Sequence, residues 1–214
     1  MSANLIKELR ARTGAGLLDC KKALAENNDD LDASVDWLRA KGIASAAKKA
    51  GRIATEGTVG TYVHNGGKIA VLVEVNCETD FVALTDDFKS LVHDIAMHIA
   101  AENPRFVSRE EISEADAEAE RKVQIARSME EGKPQAIAEK MVDGRMRKWF
   151  EEVCLLDQKF IKDDAVTIND LLVAAMARIG ENIRVRRFVR FELGEGLAKR
   201  QDNFAEEVAA QVGA

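Results

Sequence analysis

Two runs of alternating residues, 58–63 and 68–75, flank the string His64-Asn65-Gly66-Gly67. That pattern commits the middle of the chain to a β-hairpin, because Asn and Gly accept the positive φ that a tight turn between antiparallel strands demands. The second run, Ile69-Ala70-Val71-Leu72-Val73-Glu74-Val75, meets Asn76-Cys77-Glu78-Thr79-Asp80-Phe81-Val82, whose polar residues bring the chain out of the sheet. There an acidic residue precedes a large aromatic one, beside a Thr whose hydroxyl can fix the turn. Two readings of Phe81 follow from the local pattern. It is a wedge presented to a partner protein, since desolvated aromatics carry binding energy, or a core residue tucked under the next helix.

The sequence before the hairpin reads as three short helices over residues 4–50. Leu5 and Leu9 lie one turn apart before Thr13-Gly14-Ala15-Gly16 breaks the pattern. Leu17, Cys20 and Leu24 form a second apolar stripe, and Leu31, Val35 and Leu38 a third, with Gly42 expected to bend or end the last helix. Lys48, Lys49 and Arg52 then read as a solvated linker. After the hairpin, Phe88, Leu91, Ile95 and Ile99 recur at helical spacing over 86–101. Residues 170–179 read as helix, 183–193 as strand and 203–212 as a final helix. Between these elements Ala115, Ala119, Val123 and Ala126 make one narrow stripe, and Ala138, Val142, Trp149 and Val153 another. Gly132 falls past the end of the first and Pro134 just inside the second, which describes an antiparallel helical hairpin, either a docking arm or an inert one.

The organisation is α+β: a three-helix module over 1–55, an antiparallel-sheet core packed with helices over 56–112 and 154–214, and an inserted helical hairpin over 113–153. A charge of −6, from 31 basic and 37 acidic residues, argues against a nucleic-acid coat. No run approaches the ~18 apolar residues of a membrane span, and the N-terminus leads into amphipathic sequence rather than a secretion signal. Cys20, Cys77 and Cys154, odd in number and far apart, fit a reducing cytoplasm.

Chemistry-bearing patterns are sparse. Gly14-Ala15-Gly16 is followed by Leu17-Leu18, without the Gly-Lys-Ser/Thr of a phosphate-binding loop. His93 and His98 stand roughly 140° apart around one helix and have no companion ligands, so no metal or other cofactor is expected. Cys77 lies near Glu78 and Asp80, which disfavour its thiolate. Arg184, Arg186, Arg187 and Arg190 are the densest basic group. Alternation puts Arg184, Arg186 and Arg190 on one strand face and Ile183, Val185, Val189 and Phe191 on the other, while Arg187 and Phe188 break the alternation, as at an edge or a bulge.

Taken in order, several strings resemble the bacterial translation elongation factor Ts family. Arg12-Thr13-Gly14-Ala15-Gly16 and Asp19-Cys20-Lys21-Lys22-Ala23-Leu24 are similar to its opening signature, and Glu74-Val75-Asn76-Cys77-Glu78-Thr79-Asp80-Phe81-Val82-Ala83 to its second. Ile95-Ala96-Met97-His98-Ile99-Ala100-Ala101, Gly132-Lys133-Pro134, Gly180-Glu181-Asn182-Ile183 and Arg190-Phe191-Glu192-Leu193-Gly194-Glu195-Gly196 continue the series.

The resemblance implies a guanine-nucleotide exchange factor for elongation factor Tu that performs no covalent chemistry. It implies a ubiquitin-associated-like N-terminal module docking through Arg12, Leu17 and Leu18. Leu17 and Leu18 are open to a second reading, as helix core. Thr79, Asp80, Phe81 and Val82 fall on the family's wedge, which enters the partner near its magnesium and phosphate site; His98 is a candidate further contact, or else a partly buried structural residue. A non-exchanging structural or chaperone-like binding module is the alternative function. Two departures stand out. Leu84 and Thr85 follow Ala83 where longer members carry a basic residue and a small polar one. Only one β-hairpin subdomain is visible, as in short members that form homodimers, and Val189 occupies the position where some of these carry a linking Cys; a homodimer here is expected to be noncovalent.

Overall fold

The computed structural model describes residues 2–197. The expected helix at 203–212 lies outside them. Three helices open the chain: α1 (Ala3–Thr13), α2 (Leu17–Glu26) and α3 (Leu31–Lys49). Ser2 and Asp30 cap α1 and α3 by accepting backbone N–H bonds, and Gly14 ends α1 at φ 65°, where a side chain would be strained. Leu9, Cys20, Ala23 and Leu24 close a small core of their own, with Leu5, Leu31, Val35 and Leu38 packed against it. Leu17 is not part of that stripe; it faces outward from the first turn of α2.

Gly42 neither bends nor ends α3. The helix runs through it to Lys49, and Gly42 instead allows contact with α8 (Ile168–Ile179): a Cβ there would sit 3.5 Å from that of Ala177. Lys49 likewise departs from the solvated linker expected of it. It is 9% exposed, with its ammonium donating to Ser45 Oγ at 2.8 Å and to the Met176 carbonyl at 3.2 Å. Packing on α8 holds this last turn in helical register, which the polar sequence did not announce.

The sheet contains β1 (Glu56–His64), β2 (Ile69–Cys77) and β5 (Arg184–Glu192), all antiparallel, in the order β1-β2-β5. Asn65 at φ 51° and Gly66 at φ 64° make the expected turn between β1 and β2. The inner face carries Val71, Val73 and Val75, covered by Phe88, Val92, Ile95 and Ile99 of α5 (Asp86–Glu102), and Leu172, Ala175 and Met176 of α8 belong to the same core. Gly60 sets how near α5 comes, since a Cβ at that position would lie 2.3 Å from Val92 Cγ1. A small second sheet, β3 (Lys159–Phe160) with β4 (Asp163–Thr167), leads into α8, which opens with a capping box between Thr167 and Asp170.

A bulge in β5 corrects the expected division of arginines between faces. Glu74 pairs with Arg187 and Val75 with Val185, leaving Arg186 as the extra residue. Both Arg186 (2.9 Å) and Arg187 (2.7 Å) therefore reach Glu74, whose carboxyl they hold down at a pKa of about 2. Beyond the bulge the alternation is reset. Arg190 turns inward, its side chain 8% exposed, donating to the Ala100 carbonyl near the end of α5 and pairing with Glu192, while Val189 and Phe191 face outward.

Helices α6 (Glu114–Glu130) and α7 (Gln135–Val153) pack on each other across a short turn, with Gly132 at φ 84° and Pro134 as the N-cap of α7 rather than inside it. Ala138, Val142, Met146 and Val153 are the inward stripe of α7. On α6 the expected stripe is displaced: Ala115, Ala119, Val123 and Ala126 are exposed, and Ser128 is buried, flanked by the half-buried Ala117, Gln124 and Ile125. The inward set holds only Ala117 and Ile125 as apolar residues, so apolar spacing alone could not pick it out.

Candidate functional site

Three segments distant in sequence meet at the end of β2. Past Cys77 the chain makes a tight turn at Glu78 and Thr79 and enters a one-turn helix, α4 (Asp80–Ala83). Phe81 thus stands on this turn of helix just beyond the strand, not on the strand end itself. Thr79 Oγ1 caps the turn by accepting from Val82 N at 3.4 Å, and Ala83 is buried beneath it. The next helix is spliced on directly: Thr85 Oγ1 donates to the Val82 carbonyl at 2.7 Å and accepts from Phe88 N. Each short element is held at both ends.

What this framework presents is apolar. Phe81 is 78% exposed, and Leu84, one helical turn on, is 67% exposed. The core reading of Phe81 therefore fails, since Ala83 rather than Phe81 anchors α4 to the interior. Asp80 is exposed in the first turn of α4, where a negative charge suits the helix dipole.

The turn is braced from the segment between α8 and β5. Gly180 ends α8 at φ 93°, and Glu181 then reaches under the turn. Glu181 Oε2 accepts from the backbone N–H groups of Glu78 and Thr79, each at 3.0 Å, and Oε1 accepts from Thr79 Oγ1 at 2.6 Å. The favour is returned by Glu78, whose Oε1 accepts from Asn182 N at 2.6 Å. Asn182 Nδ2 in turn donates to the carbonyls of Arg52 (2.8 Å) and Ala50 (3.4 Å), joining the exit of α3 to the same knot, and Arg52 pairs with Glu78 at 3.5 Å. Cys77 completes it, donating its thiol hydrogen to the Thr79 carbonyl at 3.1 Å. Burial first, and then the Glu181 charge, push the Cys77 pKa up, so the thiol is structural rather than nucleophilic.

The other expected site residues lie elsewhere. Leu17 and Leu18 are both exposed, Leu18 at 81%, so the core reading fails for each. Arg12 is bound to Asp32 at 2.8 Å on the same module. His98 is not a surface residue: it is fully buried on α5, its Nε2 3.0 Å from Gln158 Oε1. Because the Gln158 amide donates to the Glu152 and Glu102 carbonyls, its oxygen is the acceptor and His98 Nε2 carries the proton. Among the described residues no group of three or more His, Cys, Asp or Glu is placed to hold a metal ion, and no helix is long and apolar enough to cross a membrane.

Sequence reasoning singled out Thr79 to Val82 but gave Glu181 no role. Its one signal was a carboxylate immediately after a helix-ending Gly, which does not say where in space the chain goes next.

Residues 42–195 match the family model described as Elongation factor TS. The chain is 59% identical to elongation factor Ts of Carboxydothermus hydrogenoformans over 98% of this chain and 97% of that protein. It is 58% identical to that of Desulforamulus reducens, over 99% and 98%, and 55% identical to that of Geobacter sulfurreducens, over 100% and 99%. A likeness of this extent, covering the small helical module, the sheet, the helical hairpin and the braced turn together, shows that the chain belongs to the elongation factor Ts family.

Proposed function

We propose that the chain is a guanine-nucleotide exchange factor for elongation factor Tu and that Phe81 is its wedge. Family membership supports the exchange role, which makes and breaks no covalent bond. The observation that carries the wedge is the 78% exposure of an aromatic ring on a turn bonded from both sides. This ring stands on a short helix whose preceding turn is hydrogen-bonded from both sides.

Tightly bound GDP leaves slowly because phosphate, magnesium and the partner's phosphate loop hold one another in place. A factor that prefers the nucleotide-free partner weakens GDP by the same factor that GDP weakens it. Phe81, with Val82 and Leu84 beside it, occupies volume between partner helices and displaces the groups around magnesium. Asp80 offers an acceptor to a neighbouring turn. Leu17 and Leu18, with Arg12, form the docking patch of the N-terminal module, and the cycle runs in the cytoplasm alongside translation.

The test is release of labelled GDP from elongation factor Tu by stopped flow at sub-saturating factor. Phe81→Ala is expected to slow release at least tenfold, as loss of a central aromatic anchor costs about 2 kcal/mol or more. A folded Phe81→Ala chain that releases GDP at the wild-type rate overturns the wedge. A wild-type chain that binds the partner without accelerating release favours the chaperone-like alternative.

A further inference from the structure

We propose that Glu181 is a positioning residue for exchange: its carboxylate sets the turn that presents Phe81, without touching the partner itself. The proposal rests on the wedge reading and adds what holds the wedge in place.

The carboxylate gathers three donors from two adjacent residues: Glu78 N, Thr79 N and Thr79 Oγ1. Those donors lie in the turn just ahead of α4, outside its first residue Asp80, so their N–H groups depend on a partner from elsewhere in the chain. A carboxylate accepting several such bonds is held more strongly than a neutral acceptor would be. The Thr79 hydroxyl links the two layers, since it donates to Glu181 and accepts from Val82, the residue after Phe81. Displacing Glu181 therefore frees the Thr79 hydroxyl to rotate, loosens the cap on Val82, and releases the helical turn that aims the ring. Nothing comparable holds Phe81 through its own side chain, which is exposed. The geometry of the wedge is thus set from the segment beginning at Gly180, on the far side of the fold in sequence.

This arrangement differs from a general contribution to stability. The sheet core of Val71, Val73, Val75, Phe88, Val92 and Ile95 closes without Glu181. The reciprocal bond from Asn182 N to Glu78 does not involve the Glu181 side chain. Local order at residues 78–82 is what Glu181 adds.

The experiment uses the full chain as wild type, Glu181→Gln, Phe81→Ala and the double variant. Two readouts are taken: GDP release from elongation factor Tu as a function of factor concentration, and amide hydrogen exchange at Glu78, Thr79 and Val82 in the free chain. Glu181→Gln is expected to lower the release rate at saturation by about tenfold, the loss of a charge-assisted bond set. The half-saturating concentration should move by less than about threefold, because docking surfaces are untouched. Exchange at the three amides should quicken while that of Val73 and Val75 stays slow. In the Phe81→Ala background the Glu181 substitution should cost nothing further, because it acts through that ring.

A wild-type saturating rate for Glu181→Gln overturns the proposal, as does an additive loss in the double variant. A wild-type rate for Phe81→Ala alone removes the wedge itself, a distinct result. Should Glu181→Gln not fold, Glu181→Asp keeps the charge and draws the carboxylate back by one methylene. It is expected to lower the saturating rate to a smaller degree, and an unchanged rate accompanied by faster exchange at Thr79 overturns the proposal equally.

Discussion

The Lys49 ammonium donates to the Met176 carbonyl at 3.2 Å, bonding the last turn of α3 to α8 across 127 residues of sequence. Ala46, one turn earlier, belongs to the main core rather than to the small core of the helical module. The N-terminal helices are therefore fastened to the sheet domain along the second half of α3. Lys49→Met should lower stability by about 1 kcal/mol, the usual net worth of one such bond, and Gly42→Leu by more because it forces α3 away from Ala177. Urea unfolding of the full chain checks both. Equal midpoints for Lys49→Met and wild type would show the contact to be incidental.

Docking of the module is better tested on its surface than by cutting it off, since removing residues 1–50 also strips Ala46 and Lys49 from α8. Leu17→Ala and Leu18→Ala remove exposed groups and should leave the unfolding midpoint unchanged. Each should weaken binding to elongation factor Tu by about 1 kcal/mol or more if it is an anchor. Calorimetric titration decides the matter, and unchanged affinity in the double variant would place docking elsewhere.

His98 makes stability depend on pH in a defined direction. Burial pushes its pKa below the ordinary 6.5, and its Nδ1 has no hydrogen-bond partner among the described residues. The unfolded chain therefore takes up this proton more readily than the native one. The stability linked to His98 is full above 6.5 and is lost as pH falls from there toward the depressed native value. Melting temperatures should fall more steeply for wild type than for His98→Asn between about pH 7.5 and about pH 5.5. Parallel curves would assign the acid sensitivity to other groups.

The outer face of the sheet predicts assembly. Thr61, Leu72 and Val189 lie side by side across the three strands, next to a second row of Val63, Ala70 and Phe191. Val63, Leu72, Val189 and Phe191 are exposed there, and β1 and β5 are both edge strands. A noncovalent homodimer through this face is expected, with Leu72→Lys dissociating it. Reducing agent should not alter the mass, because all three cysteines are free and buried and the Cys154 pKa is raised by burial to about 11. Sedimentation equilibrium reads the result: a 23.5 kDa species persisting to tens of micromolar (about the range where weak dimers form) excludes the dimer.

How much of this was legible beforehand varies with the range of the interaction involved. The β1–β2 turn was readable because Asn65 and Gly66 must adopt positive φ in place, and α5 because its stripe is long and bulky. Lys49 and Gly42 were misread because their roles depend on α8, which the local sequence cannot see. Alternation failed along β5 because one bulged residue, Arg186, resets it, and a bulge is decided by the partner strand as much as by the strand itself. At the site, Phe81 was found because a large aromatic among polar residues is conspicuous. Glu181 was missed because its three donors lie 102 and 103 positions away.

That separation has a consequence for the order of events during synthesis. A ribosome exposes the Phe81 segment long before it has joined residue 181 to the chain, and the whole helical hairpin must be made in between. Until then the ring is a loose apolar side chain with no carboxylate beneath its turn. A product truncated anywhere in the hairpin would carry Phe81 and lack Glu181, and is expected to be inactive in exchange even if it folds in part. On the proposal above, translation as far as Glu181 therefore doubles as a checkpoint, since only then can its carboxylate accept from Glu78 and Thr79 and set the turn beneath Phe81.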